Sequence, residues 1–233
     1  MRSYPGLLLA CAAMIAGFVQ PVRAQAPASP GIYVVTYFEV APNTARKTAA
    51  LLRQFAAATR KEDGNAELTA LHEIGRPGRF AIVEAWRDKA AVGAHGAAMK
   101  ALGDKLQSSF ASPFDARTFL TMAVAAPAEG ADLSDAVYVL THVDVFPAGK
   151  DDVAAMLKQL ADDSRKDGGY QRFDAVIQDE HPNHFHLIEA WSDRKSREAH
   201  ALTDHTKAFR AKLVPFEGAL YDERLYEVVK KSE

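Results

Sequence analysis

Two histidines, His95 and His200, each follow a tryptophan by nine residues, and each tryptophan closes the same tripeptide, Glu84-Ala85-Trp86 or Glu189-Ala190-Trp191. An imidazole titrates near about 6.5 and can take the proton of a phenolic hydroxyl, leaving an electron-rich anion that reacts with O₂. His95 and His200 are therefore the candidate catalytic bases, against the plainer reading of helix histidines that pack or cap locally. Trp86 and Trp191 are the two tryptophans of the chain. Either could wall an aromatic ligand and donate its indole N–H, although large aromatics also bury well in an ordinary core. Tyr33 and Tyr138, Thr36 and Thr141, and Tyr37 and His142 occupy matched positions upstream. A tyrosine hydroxyl can hold or relay a proton beside a bound ligand, and His142 is a further candidate base. For Tyr33 and Tyr138 the competing role is to fill an interface between the two copies.

Other polar groups offer less. Glu84 and Glu189 could orient a histidine or pair with a base such as Arg79. The run Arg60-Lys61-Glu62-Asp63, matched by Arg165-Lys166-Asp167, reads as a solvated helix end. His181, His184, His186 and His205 have no counterparts in the first copy. His184 and His186 share a strand face and could join His200 or His205 around a metal, but scattered histidines alone do not make a closed site. No metal and no cofactor is expected: there is no Gly-rich dinucleotide signature and no convincing ligand cluster.

These residues recur because the chain repeats itself. Ile32-Tyr33-Val34-Val35-Thr36 returns as Val137-Tyr138-Val139-Leu140-Thr141, and the register holds at about 105 residues through Pro42/Pro147, Gly64/Gly169 and His95/His200. After a two-residue shift, Phe114-Asp115-Ala116-Arg117 answers Tyr221-Asp222-Glu223-Arg224. In each copy a strand (Ile32–Val40, Val137–Val145), apolar on both alternations, precedes a helix. Thr48, Leu52, Phe55, Ala56 and Thr59, or Val153, Met156, Leu157, Leu160 and Ala161, mark that helix's apolar stripe. Two further strands follow, at Glu67–Ile74 with Arg79–Trp86, and at Arg172–Gln178 with His184–Trp191. Asp88 and Asp193 are placed to cap a second helix carrying His95 or His200. Final strands are expected at Asp115–Met122 and Tyr221–Val228.

The order is β-α-β-β-α-β twice, a tandem ferredoxin-like α+β arrangement. One sheet face in each copy lacks a helical cover although its strands are apolar there, so each copy should cover the other's sheet. The expected product is an intramolecular pseudo-dimeric α+β barrel, with repeat one at 31–122, an Ala/Gly/Pro-rich linker at 123–134 and repeat two at 135–229. Further self-association of such pseudo-dimers stays open.

Composition bounds the partners. With 48% hydrophobic and 25% charged residues the chain has the makings of a sizeable core. A net charge of -2 offers no basic field for a phosphate backbone, which argues against nucleic acid. Arg2, the apolar run Gly6–Val19 and Val22-Arg23-Ala24 read as a signal peptide over residues 1–24, followed by a loose segment at 25–30. The run is too short for a stable membrane span. The mature protein is thus expected to be periplasmic or secreted, with lipoprotein anchoring at Cys11 as the lesser alternative. Cys11 is the sole cysteine, so cleavage leaves no thiol for disulfides, metals or nucleophilic chemistry.

Glu84-Ala85-Trp86-Arg87-Asp88 with His95, and Glu189-Ala190-Trp191-Ser192-Asp193 with His200, resemble the pattern of the antibiotic biosynthesis monooxygenase superfamily of dimeric α/β-barrel proteins. The likeness spans nearly all of the mature chain, once per repeat. It implies a pocket between sheet and helices in each unit, taking a small aromatic, a quinol or haem. It also implies an oxygenase that uses O₂ without metal, flavin or nicotinamide, the substrate supplying the electrons. A non-catalytic ligand-binding or stress-related module is the alternative. Haem-degrading relatives carry a first-strand asparagine; here Thr36 and Thr141 or their neighbours occupy that strand, which has no asparagine.

Overall fold

The computed structural model describes residues 30–230. The expected leader at 1–24, Cys11 and residues 25–29 of the loose segment lie outside the described residues. Strand β1 (Ile32–Val40) is apolar on both alternations because both its faces are covered. Tyr33 and Val35 pack inward against Tyr138 and Leu140 of the other repeat, while Phe38 and Val40 pack outward on Leu52, Leu102 and Leu106. Helix α1 (Ala45–Thr59) buries Thr48, Leu52, Ala56 and Thr59 as one stripe. Strands β2 (Asn65–Glu73) and β3 (Arg79–Trp86), helix α2 (Lys89–Leu106) and strand β4 (Phe110–Ala123) complete repeat one. The second repeat runs β5 (Val137–Asp144), α3 (Lys150–Ser164), β6 (Tyr170–Gln178), β7 (His184–Trp191), α4 (Arg194–Ala201), α5 (Asp204–Leu213) and β8 (Asp222–Val228).

The strands close into one barrel in the order β1-β3-β2-β8-β5-β7-β6-β4. Each repeat supplies a four-stranded antiparallel sheet, and the seams are β2 against β8 and β4 against β6. The expected mutual cover is thus achieved with hydrogen-bonded seams that pair part of each edge strand. Strand β4 is longer than its expected Asp115–Met122 span because it pairs twice, with β1 along most of its length and with β6 from Phe119 to Ala123.

Local chemistry explains the joints. Gly64 and Gly169 turn the first helix of each repeat into the following strand at φ +80° and +78°, where other residues are strained. A Cβ at Gly64 would also sit 2.6 Å from Ala91 Cβ. Asp88 and Asp193 are N-caps as expected, accepting from Ala91 N at 2.8 Å and Ser196 N at 2.7 Å. The second helix of repeat two departs from the expected single element. It breaks after α4, where extended Thr203 caps α5 through its side chain.

The barrel interior carries a buried ion network between the repeats. Arg172 donates to both oxygens of Glu67 at 2.6 Å, to Tyr33 Oη at 3.0 Å and to Asp174. Glu67 and Arg172 are matched positions of the two copies, as are Tyr37 and His142, whose rings lie 5.3 Å apart. Residues that meet their own counterparts lie beside the pseudo-twofold axis. Among the described residues no helix is long and apolar enough to cross a membrane.

Candidate functional site

In repeat one the outward faces of β1, β3 and β4 meet α2. Strand register sets Val34 opposite Glu84 on one side and Thr118 on the other, with Thr36 opposite Ala116. Helix α2 crosses above, its buried stripe of Ala91, His95, Leu102 and Leu106 turned to the sheet. Between them lies a cavity of about 440 Å³, walled by Val34, Thr36, Val92, Met99, Phe114 and Thr118, with Glu84 and His95 in its lining. Gly96 faces it too, and a Cβ there would touch nothing within 4 Å, so the helix leaves that space open.

His95 is 2% exposed and held by carboxylates on both sides. Nδ1 lies 2.8 Å from Glu62 Oε2, and Nε2 makes an ion-pair contact of 3.0 Å with Glu84 Oε1. Burial pulls the imidazole down, but Glu84 and Glu62 together outweigh it and hold its pKa above the ordinary value. Trp86 packs on the ring at 4.8 Å and Phe55 at 5.5 Å. Trp86 is fully buried behind His95 and takes no part in the cavity lining.

Repeat two builds the same frame with different contents. His200 Nδ1 lies 2.7 Å from Asp167 Oδ2, the counterpart of Glu62, and Trp191 stacks on the ring at 4.4 Å. Here the strand carboxylate has changed partner. Glu189 accepts from Trp191 Nε1 at 2.9 Å and stands 3.9 Å from His200 Nε2, whereas Trp86 Nε1 has no partner among the described residues. Burial, opposed by the Trp191 N–H and by Arg197, pushes the Glu189 carboxyl up to about 7. Burial also takes His200 below its ordinary value, opposite to His95.

The space above Glu189 measures about 300 Å³ and is lined by charge. Arg197 is ion-paired with Glu223, and the Arg210 guanidinium lies 3.4 Å from the centre of the Tyr221 ring. Val92 and Ala116 hold the positions of Arg197 and Glu223 in repeat one.

The structure therefore brings together His95, Thr36 and Glu84 around one cavity, and His200 with Glu189 around the other. Thr141 is fully buried on the corresponding face of β5 but does not line the second cavity. Tyr33, Tyr138 and His142 point the other way, into the barrel. There Tyr37 Oη lies 3.1 Å from Nε2 of the fully buried His186, and His142 packs on His186 at 4.6 Å. Burial, reinforced by the Arg117 charge, pulls His142 down to about 4. His184 and His186 do not join His200; His205 does, through Asp167.

Two expectations need correction. The charged run at the end of α1 is not wholly solvated, because Glu62 reaches a buried histidine. Glu84 does not pair with Arg79, which is bound to Glu39 and Glu73. The signal for Glu62 was present: an acidic residue stands at the matched position of both copies, Glu62 and Asp167.

Comparison with known proteins agrees with this architecture. The family model described as antibiotic biosynthesis monooxygenase matches residues 31–100 and 136–212. A provisionally assigned monooxygenase from Lactobacillus acidophilus NCFM superposes with a TM-score of 0.71 at 15% identity, covering 86% of this chain and 95% of that one. One from Fusobacterium nucleatum gives 0.76 at 18% identity, with 87% and 94% covered. An anthrone oxidase-like protein gives 0.65 at 13% identity, with 86% and 92% covered. No curated protein matches the chain. Two matched segments, one in each half of a single closed barrel, place the chain in the antibiotic biosynthesis monooxygenase family, with two family units in tandem.

Proposed function

We propose that the first repeat is a cofactor-independent monooxygenase site for a small aromatic or quinol substrate, and that the second repeat is not. The observation that carries this is the Glu62–His95–Glu84 trio at an open, mainly apolar cavity whose smaller counterpart is lined by ion-paired side chains. A volume of about 440 Å³ lies within the roughly 300–1,000 Å³ of ordinary ligand pockets. With His95 protonated the trio carries one net negative charge, so accepting a substrate proton neutralises it. Glu84, in the cavity wall, receives that proton, and the imidazolium beside it stabilises the anion left behind. The substrate methylene then gives up both its hydrogens and four electrons to O₂; one oxygen enters as the carbonyl and the other leaves with the two hydrogens as water. An anthrone has such a methylene, and one structural neighbour is described as anthrone oxidase-like.

The proposal includes export, which rests on the leader read at residues 1–24. The test is O₂ uptake by the purified chain given anthrone or a reduced naphthoquinol. Saturable uptake that falls in His95→Ala is expected. Substrate binding without uptake would instead make the protein a non-catalytic ligand-binding module.

A further inference from the structure

We propose that Asp167, His200 and His205 form a binding site for one divalent transition-metal ion in the second repeat. One carboxylate oxygen and one nitrogen from each histidine lie within 4.8 Å of one another. They come from three separate places: the turn after α3, helix α4 and helix α5. Asp167 Oδ2 is already the common partner, 2.7 Å from His200 Nδ1 and 3.0 Å from His205 Nε2. Around a tetrahedral ion, with bonds of about 2.0–2.1 Å, the ligand atoms stand about 3.3 Å apart. Both contacts to Asp167 Oδ2 lie within about 0.6 Å of that separation.

The helix break is what assembles the set. On an unbroken helix, residues five apart point about 140° away from each other, and His205 could not face the carboxylate that holds His200. The turn at Leu202 and Thr203 brings it there, with Thr203 Oγ1 3.1 Å from His205 Nε2. Repeat one has neither the break nor the ligand: α2 is continuous, and Lys100 stands where repeat two has His205. The outer contacts also suit a metal ligand. His200 is fixed by its stack on Trp191, and its remaining nitrogen is approached by Thr206 Oγ1 at 3.4 Å and Glu189 Oε2 at 3.9 Å. A hydroxyl or carboxylate behind the ring is the usual way such a histidine is oriented.

Two imidazoles and a carboxylate suit zinc, iron, nickel or copper rather than magnesium or calcium, and three protein ligands leave a position for water. Asp167 and His205 are 14% and 26% exposed, and a cleft of about 150 Å³ lined by Asp163 opens beside His205. This inference concerns repeat two alone and does not depend on the oxygenase reading of repeat one.

The test uses the whole chain, stripped with chelator, titrated calorimetrically with Zn²⁺ and by visible absorption with Co²⁺. One ion per chain is expected, with the intense d–d band of four-coordinate cobalt. Both signals should vanish in Asp167→Asn and in His205→Lys, whose far-UV circular dichroism should match wild type. They should persist in His181→Gln with His184→Gln, which removes the stacked surface pair at 5.2 Å. Absence of stoichiometric binding, survival of binding in His205→Lys and Asp167→Asn, or its loss in the His181/His184 variant would each overturn the proposal.

Discussion

The two repeats share a frame and differ in what fills it. Each has the strand-ending tryptophan, the helix histidine packed against it, and an acidic residue on Nδ1. In repeat one the strand carboxylate pairs with the histidine and the cavity stays mainly apolar; in repeat two it bonds to the tryptophan and an Arg197–Glu223 pair lines a smaller cavity. A homodimer cannot make this division, because one sequence must serve both sites. Fusion into one chain releases that constraint. The barrel interior shows the same release, since Glu67 meets Arg172, its own counterpart, in an ion pair in which one guanidinium nitrogen donates to both carboxylate oxygens. In a symmetric dimer two identical charges would meet there.

The most severe way to break the comparison is to give repeat one the contents of repeat two. Val92→Arg with Ala116→Glu should narrow the 440 Å³ cavity, line it with charge and abolish both substrate binding and O₂ uptake. The reciprocal change, Arg197→Val with Glu223→Ala, should leave uptake by repeat one intact and raise bound substrate from one to two per chain, read by equilibrium dialysis. Next in size is the contrast between the histidines. Loss of one group that stabilises a developing anion typically costs about 10²–10³-fold, so His95→Ala should lower kcat on that order while His200→Ala changes it by less than about twofold. Equal losses in the two variants would mean that both repeats work.

The interface prediction follows. Arg172 is 3% exposed and is ion-paired with both Glu67 and Asp174 inside the barrel. Removing one partner of a buried ion pair leaves uncompensated charge and costs about 3–5 kcal/mol. Arg172→Met should lose about that much in urea unfolding, and adding Glu67→Gln should recover part of it.

How much of this the sequence disclosed depends on the range of the interactions involved. The duplication, the strands β3 and β7 and the two aspartate caps were legible because period-two patterning and N-caps are local. The barrel itself was legible from the apolar sheet face left bare in each repeat, but its seams, β2–β8 and β4–β6, were not, since seam pairing is set by tertiary packing. The pocket chemistry was half legible. His95 and His200 stood out by matched position. Glu62, read from its neighbours as part of a solvated run, could be placed only once the turn after α1 was seen to bend it onto α2. The break between α4 and α5 had a weak local cue in Thr203-Asp204, a cap followed by an acid, set where repeat one continues with good helix formers.

The smallest predicted effects are on stability against pH, and they separate the two faces of the sheet. On the outer face His95 has a folded pKa above the ordinary value of about 6.5. The folded state therefore binds its proton more tightly than the unfolded chain, and the resulting stabilisation is fully present below about pH 6.5. It is lost as pH rises through the raised folded value. Inside the barrel His142 is depressed to about 4, first by burial and then by the Arg117 charge. Its sign is opposite: the unfolded chain takes up the proton first, so stability present above about pH 6.5 falls away as pH drops through about 4. Urea midpoints measured across this range should show His95→Gln flattening the alkaline limb and His142→Gln the acid limb. If His95→Gln left the alkaline limb unchanged, the two carboxylates would not be holding its proton, and the imidazolium assigned to stabilise the anion in the first cavity would have to be sought elsewhere.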